Sequence, residues 1–303
     1  MFTAVNQIIS LNELNGILPT GELVEVNGKM MHVRSMGDGE QIIVILPGLG
    51  TPLPTESFAP LMRELSVEYT VVAVEYFGLG HSDRTDAPRT NAAFTEEIRS
   101  ALAGAGFAPP FILMPHSASG SYAEYFAVRH PEEIAALVLL DTIHTHEVLE
   151  PNVPGFVTHL SGFSQFVGSP GLLSPVLMRA EGIVPENGFT PEEIQNIRRF
   201  MNHYVNSTTM NHVRMYITNI REVTELDFPQ DIPVLSIRPT RPNPGSAMTI
   251  AENNIAHMER FGENSQMIII EGNHSIHMGN HVEVREAVNA FFRTRASNSP
   301  NNG

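Results

Sequence analysis

The sequence predicts an α/β fold, namely a mostly parallel, doubly wound sheet led by an antiparallel hairpin and interrupted by a helical insert. Three observations predict it. Apolar runs suited to burial on both faces recur at 42–46 (IIVIL), 70–76 (TVVAVEY), 111–114 (FILM) and 135–140 (AALVLL), with stretches of helical spacing between them. That rhythm belongs to βαβ units and a parallel sheet. Asn27-Gly28 stands between two runs of strand character, and this dipeptide supplies the two left-handed positions of a tight hairpin turn. The strand rhythm stops after Thr142 and returns near Ile232. The chain therefore divides into a first core part, 1–142, a helical insert, 143–228, and a second core part, 229–303.

Taken in order, 21–27 and 29–35 form the hairpin, and 41–46 is a buried strand closed by the loop Pro47-Gly48-Leu49-Gly50. A helix is expected over 58–65, where Phe58, Leu61, Met62 and Leu65 share a face. Next come the strand 69–76, closed by Phe77-Gly78-Leu79-Gly80, and a helix opened by Thr95-Glu96-Glu97-Ile98. The run at 111–114 ends in Pro115, and a helix starts just after Ser117 and runs to about Arg129. The strand at 135–140 then ends at Asp141-Thr142. Within the insert, 155–166 and 171–178 read as short helices. Thr190-Pro191-Glu192-Glu193 is a capping box with proline at the first helical position. It leads an apolar stripe through Ile194, Ile197, Phe200, Met201 and Tyr204, and a second stripe starts at Met210. A strand at 232–237, a helix at 247–260, a strand at 267–270 and a helix at 282–293 complete the core, before a polar tail at 296–303.

Composition narrows the function classes. Apolar residues make up 42% and charged residues 17% of the chain, which describes a folded globular protein and not a disordered one. The net charge of −15 disfavours nucleic acid and anionic membranes and leaves a small-molecule substrate as the expected partner. With no cysteine, disulfides, thiolate metal sites and cysteine nucleophiles are excluded. No apolar run is long enough to span a membrane. Met1 to Leu11 lacks the basic and apolar regions of a signal peptide, so a cytoplasmic protein is expected. The sequence does not determine its oligomeric state.

The chemistry concentrates at strand ends, where open parallel sheets gather their functional groups. In Pro115-His116-Ser117-Ala118-Ser119-Gly120 a serine sits on a tight strand-to-helix turn, which exposes the hydroxyl and backs it with helix N–H groups. The alternative reading of these residues alone is a helix N-cap. Gly48 and Leu49 follow the first buried strand, Asp141 the fourth apolar run, and Glu271-Gly272-Asn273-His274 the last strand. Serine, acid and histidine thus occur in that chain order.

On these motifs, together with Glu75-Tyr76-Phe77-Gly78-Leu79-Gly80-His81-Ser82-Asp83, the chain resembles the α/β-hydrolase superfamily over roughly 21–295. The insert would be a helical cap. The resemblance implies Ser117 as nucleophile, His274 as general base, and backbone N–H groups of Leu49 and Ala118 as the oxyanion hole, with neither cofactor nor metal. The chain departs from the family pattern in places. Pro47 replaces the histidine of the usual His-Gly, and Pro115 and Ser119 replace the elbow glycines. No acid follows the strand 232–237, where Arg238-Pro239-Thr240 stands instead. Some members of the family take the acid from the end of the preceding core strand, so the resemblance implies Asp141 as the triad acid; a capping role for it, Glu252, or a dyad without an acid are the alternatives. Glu75 reads as structural, and His116 as packing locally. The run His274, His277, His281, with His144 and His146 near it, lacks carboxylates at metal-ligand spacing.

The expected activity is hydrolysis of a carboxylic ester or similar small, partly apolar acyl compound through an acyl-enzyme. The same triad would also serve a lactonase, a cofactor-free perhydrolase or a hydroxynitrile lyase, and the fold alone would serve a non-catalytic binding protein.

Overall fold

A computed structural model describes residues 16–142, 169–201, 203–240, 255 and 258–298. Strands β1 (Glu22–Val26) and β2 (Lys29–Met36) form the leading antiparallel hairpin. Asn27 and Gly28 turn it with φ of 54° and 74°, the left-handed pair the dipeptide predicts. The remaining strands are β3 (Ile42–Leu46), β4 (Thr70–Val74), β5 (Phe111–Pro115), β6 (Ile134–Leu140), β7 (Val234–Pro239) and β8 (Ser265–Ile270). They complete an eight-stranded sheet in the order β1-β2-β4-β3-β5-β6-β7-β8, in which every pairing beyond β2–β4 is parallel.

Neighbouring residues of the central strands point to opposite faces, and both faces are covered. On one side Val44, Leu46, Leu113 and Leu137 pack with Phe94, Ile98 and Leu102 of α3 (Asn91–Gly104) and Tyr122 and Phe126 of α4 (Gly120–Arg129). On the other, Ile43, Ile45, Met114 and Val138 meet Leu61, Met62 and Leu65 of α2 (Ala59–Leu65), Ile276 of α8 (Ile276–Gly279), and Val284, Val288 and Phe291 of α9 (His281–Asn298). This double burial explains why the strands read as continuous apolar runs.

Several helix boundaries differ from the sequence expectation, among them the end of α9, which runs to Asn298 into the stretch read as a polar tail. The helix expected at 58–65 is present as α2, and a separate short helix that the sequence reading did not place, α1 (Pro54–Ser57), precedes it; Pro54 and Pro60 each stand in a first turn. The helix expected to open at Thr95 begins at Asn91, where the Thr90 hydroxyl accepts the Ala93 N–H at 3.2 Å.

Between β6 and β7 the described chain holds α5 (Ser169–Glu181), α6 (Pro191–Met201) and α7 (Ser207–Thr224). The Thr190–Glu193 capping box forms in both directions, at 3.2 and 2.9 Å. Met178, Ile183, Phe189, Ile197 and Phe200 of this segment bury together against Leu53 and Met278 of the core. The helix expected at 155–166, and 247–257 apart from Ile255, lie outside the described residues.

Candidate active site

From β3 the chain moves to β4 on one side, then returns across β3 to β5 on the other. The crevice at the carboxyl ends of β3 and β5 is therefore the topological switch point, where open α/β sheets bind ligands. Ser117 stands at its mouth. β5 ends at Pro115, and Ser117 takes φ of 54° before a short 3-10 turn, Ser117–Ser119, feeds α4. A left-handed serine is strained, and here the strain lifts its side chain off the sheet. Two glycines permit the close approach. A Cβ on Gly120 would lie 2.8 Å from Thr142 Cβ, and one on Gly48 would lie 2.9 Å from Ser117 Cβ and 2.7 Å from His116 Nδ1. The two residues expected to offer oxyanion N–H groups are Ala118, which follows Ser117 and is buried, and Leu49, which follows Gly48 and is half-buried.

His274 lies between β8 and α8. Its Nε2 is 2.9 Å from Ser117 Oγ and its Nδ1 is 2.6 Å from Asp141 Oδ2. A carboxylate only accepts, so Nδ1 carries the proton and the Nε2 lone pair faces the serine hydroxyl. Asp141, at the end of β6, is 3% exposed and takes φ of 40°. The structure thus brings Ser117, His274 and Asp141 into one hydrogen-bonded series, while Glu252 lies outside the described residues.

Arg238 belongs to the site although its place in the sequence does not announce it. It stands on β7, the strand after which no acid occurs, and its Nη1 is 3.1 Å from Asp141 Oδ1 and donates to the Thr142 carbonyl at 2.6 Å. Both oxygens of Asp141 are therefore engaged, one by the arginine and one by the histidine. The available signal was the pattern itself: a base at the end of β7 where an acid is usual, beside an acid at the end of β6.

Two further histidines, His116 and His277, pack beside His274. His116 Nε2 lies 3.1 Å from the His274 carbonyl and donates to it. Burial, reinforced by His277 and His274 alongside, holds His116 well below the usual imidazole range. His277 is fully buried, stacked on Phe58 at 4.0 Å between ring centroids, and burial pushes it down to about 3. It lies inside the core, and His144 and His146 lie outside the described residues. Glu75 accepts from the Thr55 hydroxyl at 2.7 Å and the His81 N–H at 2.7 Å, which fixes the loop after β4. Burial alone would raise the Glu75 carboxyl, but donors from His32, Thr55 and the His81 backbone pull it below the usual range.

The loop after β3 is tied at both ends. Ser119 Oγ accepts from Tyr76 Oη at 3.1 Å and donates to the Pro47 carbonyl at 2.5 Å, while the Gly50 N–H donates to Tyr204 Oη at 2.6 Å. The elbow residue that replaces glycine thus anchors the loop that borders the nucleophile. The large groove of about 730 Å³ beside Glu271, Gly272 and Asn273 does not include Ser117 in its wall, so size alone does not mark where a substrate reacts.

Comparison with known proteins agrees with this fold. Residues 41–171 match the sequence profile of the alpha/beta hydrolase fold. Over 226 residues, 71% of this chain and 67% of the relative, the sequence is 30% identical to the uncharacterized protein YbdG of Bacillus subtilis. The chain belongs to the α/β-hydrolase family. A fluoroacetate dehalogenase of Burkholderia is 24% identical over 58% of this α/β hydrolase and 62% of its own length. The epoxide hydrolase VrEH1 of Vigna radiata superposes with a TM-score of 0.70 at 17% identity, covering 90% of this chain and 97% of its own. Among the described residues of this α/β hydrolase, no helix is long and apolar enough to cross a membrane.

Proposed function

We propose that the protein is a serine hydrolase that cleaves carboxylic esters or similar small acyl compounds through an acyl-enzyme. The observation that carries the reading is the series Ser117 Oγ–His274 Nε2 at 2.9 Å and His274 Nδ1–Asp141 Oδ2 at 2.6 Å. Ser117 Oγ attacks the carbonyl carbon while His274 Nε2 takes its proton. Negative charge collects on the carbonyl oxygen, where the N–H groups of Leu49 and Ala118 receive it. Asp141 stabilises the imidazolium, and Arg238 keeps Asp141 turned to serve it. His274 returns the proton to the leaving alcohol; water, activated in the same way, then releases the acid.

The nucleophile's chemistry favours acyl transfer over the reactions named for the dehalogenase and epoxide-hydrolase relatives. Serine attack on a saturated carbon would leave an ether that water does not cleave, whereas attack on a carbonyl leaves an ester that it does. A carboxylate would have to stand at position 117 for the former chemistry. Residues 143–228 serve, in this reading, as a cap over the site, supported by the packing of α6 and its neighbours on Leu53 and Met278. A cytoplasmic location belongs to the same proposal.

The reading is tested by following 4-nitrophenyl acetate and butyrate hydrolysis in wild type, Ser117→Ala and His274→Ala. Turnover that falls at least about a thousandfold in both variants supports it; turnover that survives either change overturns it.

A further inference from the structure

The peptide that carries the Leu49 N–H lies between two peptides that are each held by a side chain. On its N-terminal side, the Pro47 carbonyl accepts from Ser119 Oγ at 2.5 Å. On its C-terminal side, the Gly50 N–H donates to Tyr204 Oη at 2.6 Å. Gly48 opens the middle peptide and packs on the nucleophile, since a Cβ there would lie 2.9 Å from Ser117 Cβ. Peptide units are planar and turn only about the bonds that join them. Fixing the unit on either side therefore fixes the direction of the Leu49 N–H.

The two anchors come from different parts of the chain. Ser119 belongs to the nucleophile's own turn. Tyr204 lies 154 residues beyond Gly50, between α6 and α7 of the insert. The turn that carries it is itself secured. The Tyr204 carbonyl accepts from the Thr209 hydroxyl at 2.6 Å. Asn206 Nδ2 donates to the Gly78 carbonyl at 2.8 Å, and Thr208 Oγ1 both accepts the Thr85 N–H at 2.9 Å and donates to the Thr85 carbonyl at 2.8 Å. Gly78 and Thr85 belong to the segment between β4 and α3. The phenol thus reaches Gly50 from a support that is bonded to the core, as a group that must hold a geometry requires. Without the hydroxyl, water would take the Gly50 N–H. That exchange costs little stability, but a water molecule fixes no direction.

We propose that Tyr204 is a positioning residue for the reaction: through its hydroxyl the helical insert orients the peptide whose Leu49 N–H receives the oxyanion, so that the seating of the insert on the core is coupled to the rate of the chemical step. The proposal rests on the serine-hydrolase reading above, from which it takes the oxyanion.

The test is Tyr204→Phe, which removes one oxygen and keeps the ring, with Tyr204→Leu in its place if circular dichroism shows the first variant unfolded. Hydrolysis of 4-nitrophenyl acetate and butyrate gives kcat and KM. Isotope labels on leucine carbonyls and glycine nitrogens select the Leu-Gly peptides in NMR spectra, and the sequence has two, Leu49-Gly50 and Leu79-Gly80. The Gly80 N–H donates to the Pro52 carbonyl at 3.0 Å and serves as the control. The expected result is a kcat lowered about tenfold or more with KM changed less than about twofold. The Leu49-Gly50 amide shifts and exchanges faster with solvent, while Leu79-Gly80 stays in place. An unmoved Leu49-Gly50 signal would mean that the bond does not form, and a moved signal with kcat within about twofold of wild type that it positions nothing. Either result overturns the proposal and leaves the serine-hydrolase reading standing. A wild type without ester turnover overturns both.

Discussion

Asp141→Asn is the perturbation whose outcome the geometry constrains most closely. The new amide has one oxygen and one NH2, and two neighbours compete for the oxygen. Arg238 Nη1, 3.1 Å from Oδ1, only donates, whereas His274 Nδ1, 2.6 Å from Oδ2, donates or accepts according to tautomer. A hydrogen bond to a charged donor is worth about 1.5–3 kcal/mol, or about ten- to a hundredfold in population, so the oxygen turns to Arg238. The NH2 then faces His274, Nδ1 must accept, and the proton moves to Nε2, where it blocks the serine. Turnover of 4-nitrophenyl acetate should fall about 10³- to 10⁴-fold, which is about 4–5.5 kcal/mol in the barrier, with a folded protein by circular dichroism. Adding Arg238→Met frees the amide to turn over, and the double variant should recover about tenfold relative to Asp141→Asn alone. A loss below about tenfold in Asp141→Asn would remove Asp141 from the triad. A double variant slower than the single one would refute the orienting role of Arg238.

Two further outcomes follow from buried groups. Burial pushes the Glu56 carboxyl up to about 7 where it meets Asn196 at 3.1 Å, with Glu193, Arg34 and Glu75 as its charged neighbours. Its folded pKa exceeds the ordinary 4.5, so the stability it contributes is fully present below about 4.5 and is lost as pH rises through about 7, by at most about 3 kcal/mol. Thermal melts should show wild type weakening between pH 5 and 8 relative to Glu56→Gln; parallel curves would contradict this. Ser119→Ala removes the hydroxyl that holds the Pro47 carbonyl, a bond worth about 1 kcal/mol. We expect kcat to fall about fivefold with KM little changed, and an unchanged kcat would separate that hydroxyl from the alignment of the loop.

Much of this arrangement is legible in the chain because it is local. Asn27-Gly28 states its turn, the apolar runs state strands buried on both faces, and Thr190 to Glu193 states a helix start. Ser117, Asp141 and His274 could be singled out because each ends a strand, and the topology of a parallel sheet gathers strand ends. What escaped is what depends on partners distant in sequence. Arg238 reads simply as a departure from the family pattern until the sheet sets β7 beside β6 and brings its guanidinium to Asp141, 97 residues earlier. Ser119 reads as a tolerated substitution until its hydroxyl reaches Pro47, 72 residues away. The start of α3 was masked for another reason: Thr95-Glu96-Glu97 imitates a first turn, while the true cap, Thr90, precedes residues with little apolar pattern.

The account turns on Ser117 as an activated nucleophile, and covalent labelling measures that property directly. Folded wild-type protein is treated with a fluorophosphonate, and the adduct is located by peptide mass spectrometry. One phosphonate per chain is expected on Ser117 and none in Ser117→Ala. An unlabelled wild type, or an adduct that persists in Ser117→Ala, would contradict it.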